Sequence, residues 1–353
     1  MNGLLVIVGI AGMFLLLIAP HEAGHFALAK LFKVRVIEFS IGAGTRLWST
    51  NRGGTLYAIR ALPIMGYVRM GGMEGGDFDD PDGFHRKAAW QRILILAAGP
   101  AANFVVAIIL FTGLGLTQVN TEPGKVALVL AGSPAAAAGF QPGDRLQTVD
   151  GKPISAPDQL KKAEAAAPGA ALVVGGVRAN GQHFEYVVTP RWDPTLMQYQ
   201  LGLRVMAIVT VQDAVVNGAR FPFTAVGNIV QGLGQLVTGQ VPGGLLGPNG
   251  VTGPIGIADV AAQSVSLGLD TYIFFVALLS VALGFTNLLP FLALDGGRMA
   301  VVLIEVLRRR PFDRNSELNF QRVGLAALIA IALFISALDI QRIATGQFPG
   351  LQR

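Results

Sequence analysis

The sequence predicts a polytopic α-helical membrane protein of about four transmembrane helices, with an inserted α+β domain and a membrane-associated β-hairpin. Three observations predict it. The 353 residues are 52% hydrophobic and only 14% charged, and mean hydropathy is +0.53; an ordinary soluble domain carries about 25% charged residues. Four uncharged stretches approach the length that crosses a bilayer. Between the second and third lies a long insert of short apolar runs separated by turn residues. There are no cysteines, so any metal is held by His, Asp or Glu. The net charge of +5 needs no nucleic acid, because basic residues beside spans are expected from orientation alone.

The first span comes from residues 1–20, which carry no charged side chain; Gly3 to Ile18 is almost unbroken apolar sequence. It ends at His21-Glu22-Ala23-Gly24-His25. Two imidazoles four residues apart share one helical face and can bind one zinc ion. Glu22 beside them can accept a proton from water. Ionisable groups at membrane depth are costly and suggest function. A signal peptide is not expected: there is no basic n-region, and cleavage near Ala19 would remove the helix that carries the motif. Pro20 directly before His21 is expected to disturb the preceding turn.

The second span runs from Ile93 to about Leu116, the third from Thr271 to Leu294, and the fourth from Val323 to Leu338. The fourth is short and can extend by snorkelling of Arg322. Four spans put both termini on one side. The segment from Phe26 to Arg92 carries ten Lys or Arg residues, and the connection from Gly296 to Arg322 carries six. Both are therefore expected on the cytoplasmic side, which leaves the insert outside by parity.

In the first cytoplasmic loop, Thr55 to Met70 reads as a strand, a turn at Pro63 and a second strand, with Gly66 marking a turn or close backbone approach. Met70 to Gly83 reads as a loop. His85 and the nearby Asp residues fit no metal-ligand spacing.

Within the insert, Val126–Leu130 and Leu146–Val149 read as strands. Ser133–Ala138 reads as a short helix capped by Ser133 with Pro134 in its first position. Asp158–Ala166 reads as a longer helix, and Ala171–Val177 and His183–Val188 as closing strands. Ala214 to Thr238 is expected to be an amphipathic helix on the membrane surface, with a fifth span as the alternative. Val241 to Gly256 is rich in Gly and Pro.

At the end of the third span stands Asn287-Leu288-Leu289-Pro290-Phe291-Leu292-Ala293-Leu294-Asp295-Gly296-Gly297-Arg298. Asp295 is the first acid after twenty-four uncharged residues. Its carboxylate can complete a three-ligand catalytic zinc site with His21 and His25. By the topology above, all three lie toward the cytoplasmic ends of their spans. Asn287 and Pro290 predict a broken helix there.

Together these residues resemble the site-2 proteases, zinc metalloproteases that cut substrates within the membrane. The resemblance is specifically to bacterial regulated-intramembrane-proteolysis enzymes with a single PDZ domain between the second and third spans. It rests on HEAGH at 21–25, Pro63 with Gly66-Tyr67-Val68, Phe84 to Trp90, and Gly99-Pro100-Ala101-Ala102-Asn103. It rests also on the PDZ-like run GSPAAAAGFQPGDRLQTVDGKPI, on Gly253-Pro254-Ile255-Gly256 and on NLLPFLALDGG.

The resemblance implies Zn2+ held by His21, His25 and Asp295, with Glu22 as the catalytic base and acid. It implies substrate-binding roles for Asn287, Gly66 and Tyr67, and a packing or substrate-binding role for Asn103. The implied substrates are single-span transmembrane proteins, such as anti-sigma factors or remnant signal peptides. The implied location is the bacterial inner membrane, with the PDZ domain extracytoplasmic, the active site toward the cytoplasm, and the lipid bilayer and a PDZ peptide ligand as partners. Where the family usually has a second proline, this chain has Leu292.

The expected organisation is 1–117 for the first two spans with the hairpin, 122–192 for the PDZ domain, 193–265 for a linker, and 266–345 for the last two spans. The competing reading is a catalytically silent PDZ-containing membrane adaptor. A transporter with broken helices would need inverted repeats, which the four spans do not display.

Overall fold

The computed structural model describes residues 3–73, 77–156, 158–193, 198–241, 243–247 and 250–348; residues 74–76 of the expected 70–83 loop, and 242, 248 and 249 of the Gly- and Pro-rich segment, lie outside this range. In chain order the elements are α1 (Gly3–Leu31), β1 (Val36–Arg52), β2 (Thr55–Met70), α2 (Ala89–Thr117), β3 (Val126–Val129), α3 (Pro134–Ala138), β4 (Arg145–Val149), β5 (Lys152–Pro153), α4 (Gln159–Ala166), β6 (Leu172–Val177), β7 (His183–Val188), β8 (Arg191–Asp193), β9 (Gln198–Gln200), β10 (Leu203–Val205), α5 (Val211–Val237), α6 (Pro254–Leu267), α7 (Leu269–Leu288), α8 (Asp295–Arg308) and α9 (Arg314–Ala344). The chain divides into two compact units, 1–114 with 217–353, and 115–216.

In the first unit, α1, α2, α7 and α9 are the four helices, among the described residues, long and apolar enough to cross a membrane. Contrary to the expectation at Pro20, α1 runs unbroken through it. The ring removes one backbone donor, and packing holds the helix: Met13, Leu17, His21, His25 and Ala29 are all buried, one every fourth residue. That spacing puts the histidine pair on the ridge α1 turns into the bundle.

The third apolar run does not form one helix to Leu294. Helix α7 stops at Leu288, and α8 begins at Asp295. Pro290 has no N–H to donate and pushes the residue before it toward extended backbone, and Leu289 has φ −70° and ψ 144°. The expected break is therefore present, and it leaves Asp295 as the first residue of a new helix. Helix α9 is longer than the uncharged stretch that announced it. Asp313 caps it, its side chain accepting from the Ser316 N–H at 2.9 Å.

Helix α5 forms where an amphipathic helix was expected, and its first half packs against α2 and α7. Phe221 stacks on Phe111 with centroids 4.1 Å apart. Ala225 is buried with Ala107, Ala277 and Val281, which lie well inside α2 and α7.

The hairpin differs in detail from the one read in the sequence. Thr55–Ile59 and Gly66–Met70 do not pair with each other. Glu38–Ile41 of β1 lies between them, facing Leu56–Ile59 on one side and Gly66–Arg69 on the other. A side chain of β2 then locks the layers. Arg60 donates to Glu38 Oε1 at 2.7 Å, to the Tyr67 hydroxyl at 2.6 Å and to Ser40 Oγ at 2.9 Å.

The second unit carries a four-stranded sheet in the order β5-β4-β6-β7, with β3 paired to β10 and β8 to β9. Its core is built from Val126, Leu146, Leu160, Leu172, Val174 and Leu201. Ser133 caps α3 as expected, accepting from the Ala136 N–H at 3.1 Å. β3, β4, α4, β6 and β7 fall within a residue of their expected bounds. β8, β9 and β10 were not anticipated, because three-residue strands carry too little alternation to read.

Candidate active site

Helix α1 presents the two imidazoles of HEAGH to α2 and α8. His25 Nδ1 lies 2.8 Å from the Ile95 carbonyl oxygen, an acceptor. That contact puts the ring proton on Nδ1 and leaves the Nε2 lone pair free. Asp295 reaches back from the start of α8. Its Oδ2 is 3.2 Å from His21 Nε2 and 3.3 Å from His25 Nε2. The two Nε2 atoms are 3.2 Å apart.

These three donors form a nearly equilateral triangle, and its size can be tested against zinc. Tetrahedral bonds of about 2.0–2.1 Å separate neighbouring donors by about 3.3–3.4 Å. The observed sides match. Two imidazoles and one carboxylate are also the donor types of a catalytic zinc site, where three protein ligands leave a fourth position open. Among the described residues, His21, His25 and Asp295 are the one group of three such side chains close enough to hold an ion.

The triangle depends on a missing side chain in α2. A Cβ at Gly99 would overlap His25 Nε2 and stand 2.9 Å from His21 Nε2. Any larger residue would occupy the space where the donors converge. Gly99 belongs to the Gly-Pro-Ala-Ala-Asn run that the sequence singles out, but only the packing explains it.

A cavity of about 770 Å³ opens on the triangle. Glu22, Gly66, Tyr67 and Asn287 line it, together with all three donors. The strand segment Gly66–Met70 forms part of its wall. That segment pairs with β1 along one side, and among the described residues no strand pairs with its other side. Gly66 lies close against α1: a Cβ there would meet Glu22 Cγ and Ile18 Cγ2, each at 2.8 Å. Tyr67 lines the cavity while its hydroxyl accepts from Arg60.

Asn103 is placed differently from the other residues expected to hold substrate. It is fully buried and not among the cavity-lining residues; its Nδ2 lies 3.3 Å from His21 Nδ1. Two further residues, one on the cavity wall and one bonded to Tyr67 behind it, have no role in the sequence reading. Arg298 lines the cavity and donates to Gln321 Oε1 at 2.8 Å; its position three residues after Asp295, on the same helical face, was a usable signal. Arg60 gave no such signal, because its partners meet only when the strands pair.

Comparison with known proteins agrees with this geometry. Residues 9–331 match the family model described as peptidase family M50. A Clostridium perfringens protein provisionally named a zinc metalloprotease is 33% identical over 332 residues, covering 93% of this chain and 96% of the relative. The zinc metalloprotease RasP of Bacillus licheniformis is 29% identical, covering 92% and 96%. The metalloprotease MmpA of Caulobacter vibrioides is 29% identical, covering 98% of both chains.

Proposed function

The chain belongs to peptidase family M50 and is a zinc metalloprotease; from that premise we propose that it hydrolyses peptide bonds within the transmembrane segments of single-span membrane proteins. The observation that carries this reading is the donor triangle of His21, His25 and Asp295, with sides of 3.2–3.3 Å, set among helices apolar enough to cross a bilayer. Zinc held there supplies a Lewis acid that polarises the scissile carbonyl and lowers the pKa of a water to about 7.

The chain's own groups do the rest. Glu22 takes a proton from the attacking water and delivers it to the leaving amine as the C–N bond breaks. A peptide bond in a transmembrane helix is already hydrogen-bonded and shielded from water, so the substrate must unwind locally. The unpaired side of Gly66–Met70 supports an extended substrate pairing there, strand against strand. Asn287, on the cavity wall, is suited to hold the substrate backbone or the developing oxyanion.

The 115–216 unit serves, in this reading, as an extracytoplasmic PDZ-like domain that sorts substrates by size or senses a peptide. The substrate class includes anti-sigma factors and remnant signal peptides, in a bacterial inner membrane with the active site toward the cytoplasm.

The test compares purified wild type and Glu22→Gln on a model single-span substrate, with zinc content measured in both. Cleavage by wild type, and none by a variant that keeps its zinc, supports the proposal. Uncut substrate with fully zinc-loaded wild type would favour a silent membrane adaptor instead.

A further inference from the structure

We propose that Asn103 is a positioning residue for the metal, an acceptor that fixes the ring of His21, rather than a contact for substrate. The inference rests on the reading of His21 as a zinc ligand. His21 Nε2 points at Asp295 Oδ2. A neutral imidazole that ligates through Nε2 carries its proton on Nδ1. That N–H needs an acceptor, and ligating histidines nearly always find one. His25 has the Ile95 carbonyl. His21 has Asn103.

Three observations fit Asn103 to this role. Its side-chain amide is the group beside His21 Nδ1, at 3.3 Å. Its Oδ1 is buried with no hydrogen-bond partner, an acceptor with spare capacity a few ångströms from a donor without one. The amide nitrogen and oxygen exchange places by a half-turn of the same planar group, and the half-turn replaces a donor-to-donor contact with Nδ1–H donating to Oδ1. The residue is also held rigidly. Ser280 of α7 is fully buried and donates to the Asn103 backbone carbonyl at 2.8 Å. Gly284, one turn on, is close enough that a Cβ there would stand 3.4 Å from Asn103 Cβ. Helix α7, which carries Asn287, thus clamps the partner of a ligand carried by α1.

A contact for substrate would lie on the cavity wall, and Asn103 does not. A residue acting through His21 changes metal affinity, whereas a substrate contact changes KM and leaves metal affinity alone.

The experiment uses the full chain in detergent micelles. Zinc is titrated against a chromophoric chelator for wild type, Asn103→Leu and Asn103→Asp, and the visible spectrum of each is recorded with cobalt(II) in place of zinc. Leucine keeps the volume and removes the acceptor; aspartate keeps an acceptor. The expected result is a loss of about 10–100-fold in zinc affinity for Asn103→Leu, recovery in Asn103→Asp, and a changed cobalt spectrum in the leucine variant alone. If leucine prevents folding, as judged by gel filtration, Asn103→Ala serves as the apolar arm. Wild-type zinc affinity in the apolar variant would overturn the proposal, as would equal weakening in both variants. A wild type that binds no zinc would instead overturn the metal reading on which the proposal rests.

Discussion

Gly66 and Glu22 come so close that a methyl group on the glycine would stand 2.8 Å from Glu22 Cγ. A strand lining the cavity and the proposed general base are therefore separated by nothing but hydrogen atoms. Gly66→Ala must move Glu22, displace the strand, or both. A misplacement of about 1 Å costs on the order of 100-fold in rate. Gly66→Ala is expected to lose that much in kcat/KM on a single-span substrate while zinc content stays at the wild-type level. Loss of zinc in this variant would mean that the strand shapes the metal site and not the base.

Asp295 closes the donor triangle from a different helix than the histidines. Asp295→Ala removes one of three protein ligands and leaves two imidazoles on α1. Zinc bound by competition assay is expected to weaken by about two orders of magnitude or more, since even outer partners of ligands cost 10–100-fold. Chelation of the wild type should abolish cleavage, and added zinc should restore it. Full zinc affinity in Asp295→Ala would remove this residue from the site.

Arg92 and Glu305 form a buried pair at 2.7 Å, with side-chain exposures of 9% and 5%. Glu305 also accepts from the Phe312 N–H and from Arg314, both at 2.8 Å. It ties α2 and the start of α9 to α8, the helix that begins with Asp295. Breaking one side of such a pair costs about 3–5 kcal/mol. Glu305→Leu is expected to lower thermal stability by that order, and Arg92→Met with Glu305→Leu to recover much of it. If the double variant is no more stable than the single, the charges are not coupled.

His85 precedes α2, and burial, aided by the charges of Arg314 and Arg92, pushes its imidazole from 6.5 down to about 3. The native chain therefore refuses a proton that the unfolded chain accepts near pH 6.5. Between about pH 3 and 6.5 the unfolded state binds more protons, so stability rises with pH through that window and is complete above it. Acidification from pH 7 to 5 is expected to cost roughly 2 kcal/mol through this group. Melting temperatures at the two pH values, compared with those of His85→Gln, isolate the effect. An equal pH response in both proteins would assign it elsewhere.

Much of this architecture was legible because lipid imposes a strong pattern. Uncharged runs of span length marked α1, α2, α7 and α9, and proline chemistry marked the break before Asp295. HEAGH and the lone acid after twenty-four uncharged residues marked the donors. The hairpin was read less well, because two segments that look like neighbours in sequence are separated in space by Glu38–Ile41. Pairing across a sheet is a long-range choice that local alternation does not encode. For helix α5 the composition gives the amphipathic pattern, and the structure adds that Phe221 and Ala225 in its first half pack against α2 and α7.

The sequence by itself determined which residues can hold zinc, because the four-residue spacing of two histidines and a lone acid after an uncharged run are properties of the chain alone. Only the tertiary structure decided that the three donors stand 3.2–3.3 Å apart, that Gly99 leaves them room, and that Asn103 lies behind His21 rather than in the cavity. Those are relations between helices far apart in sequence, and they are fixed by close packing in three dimensions.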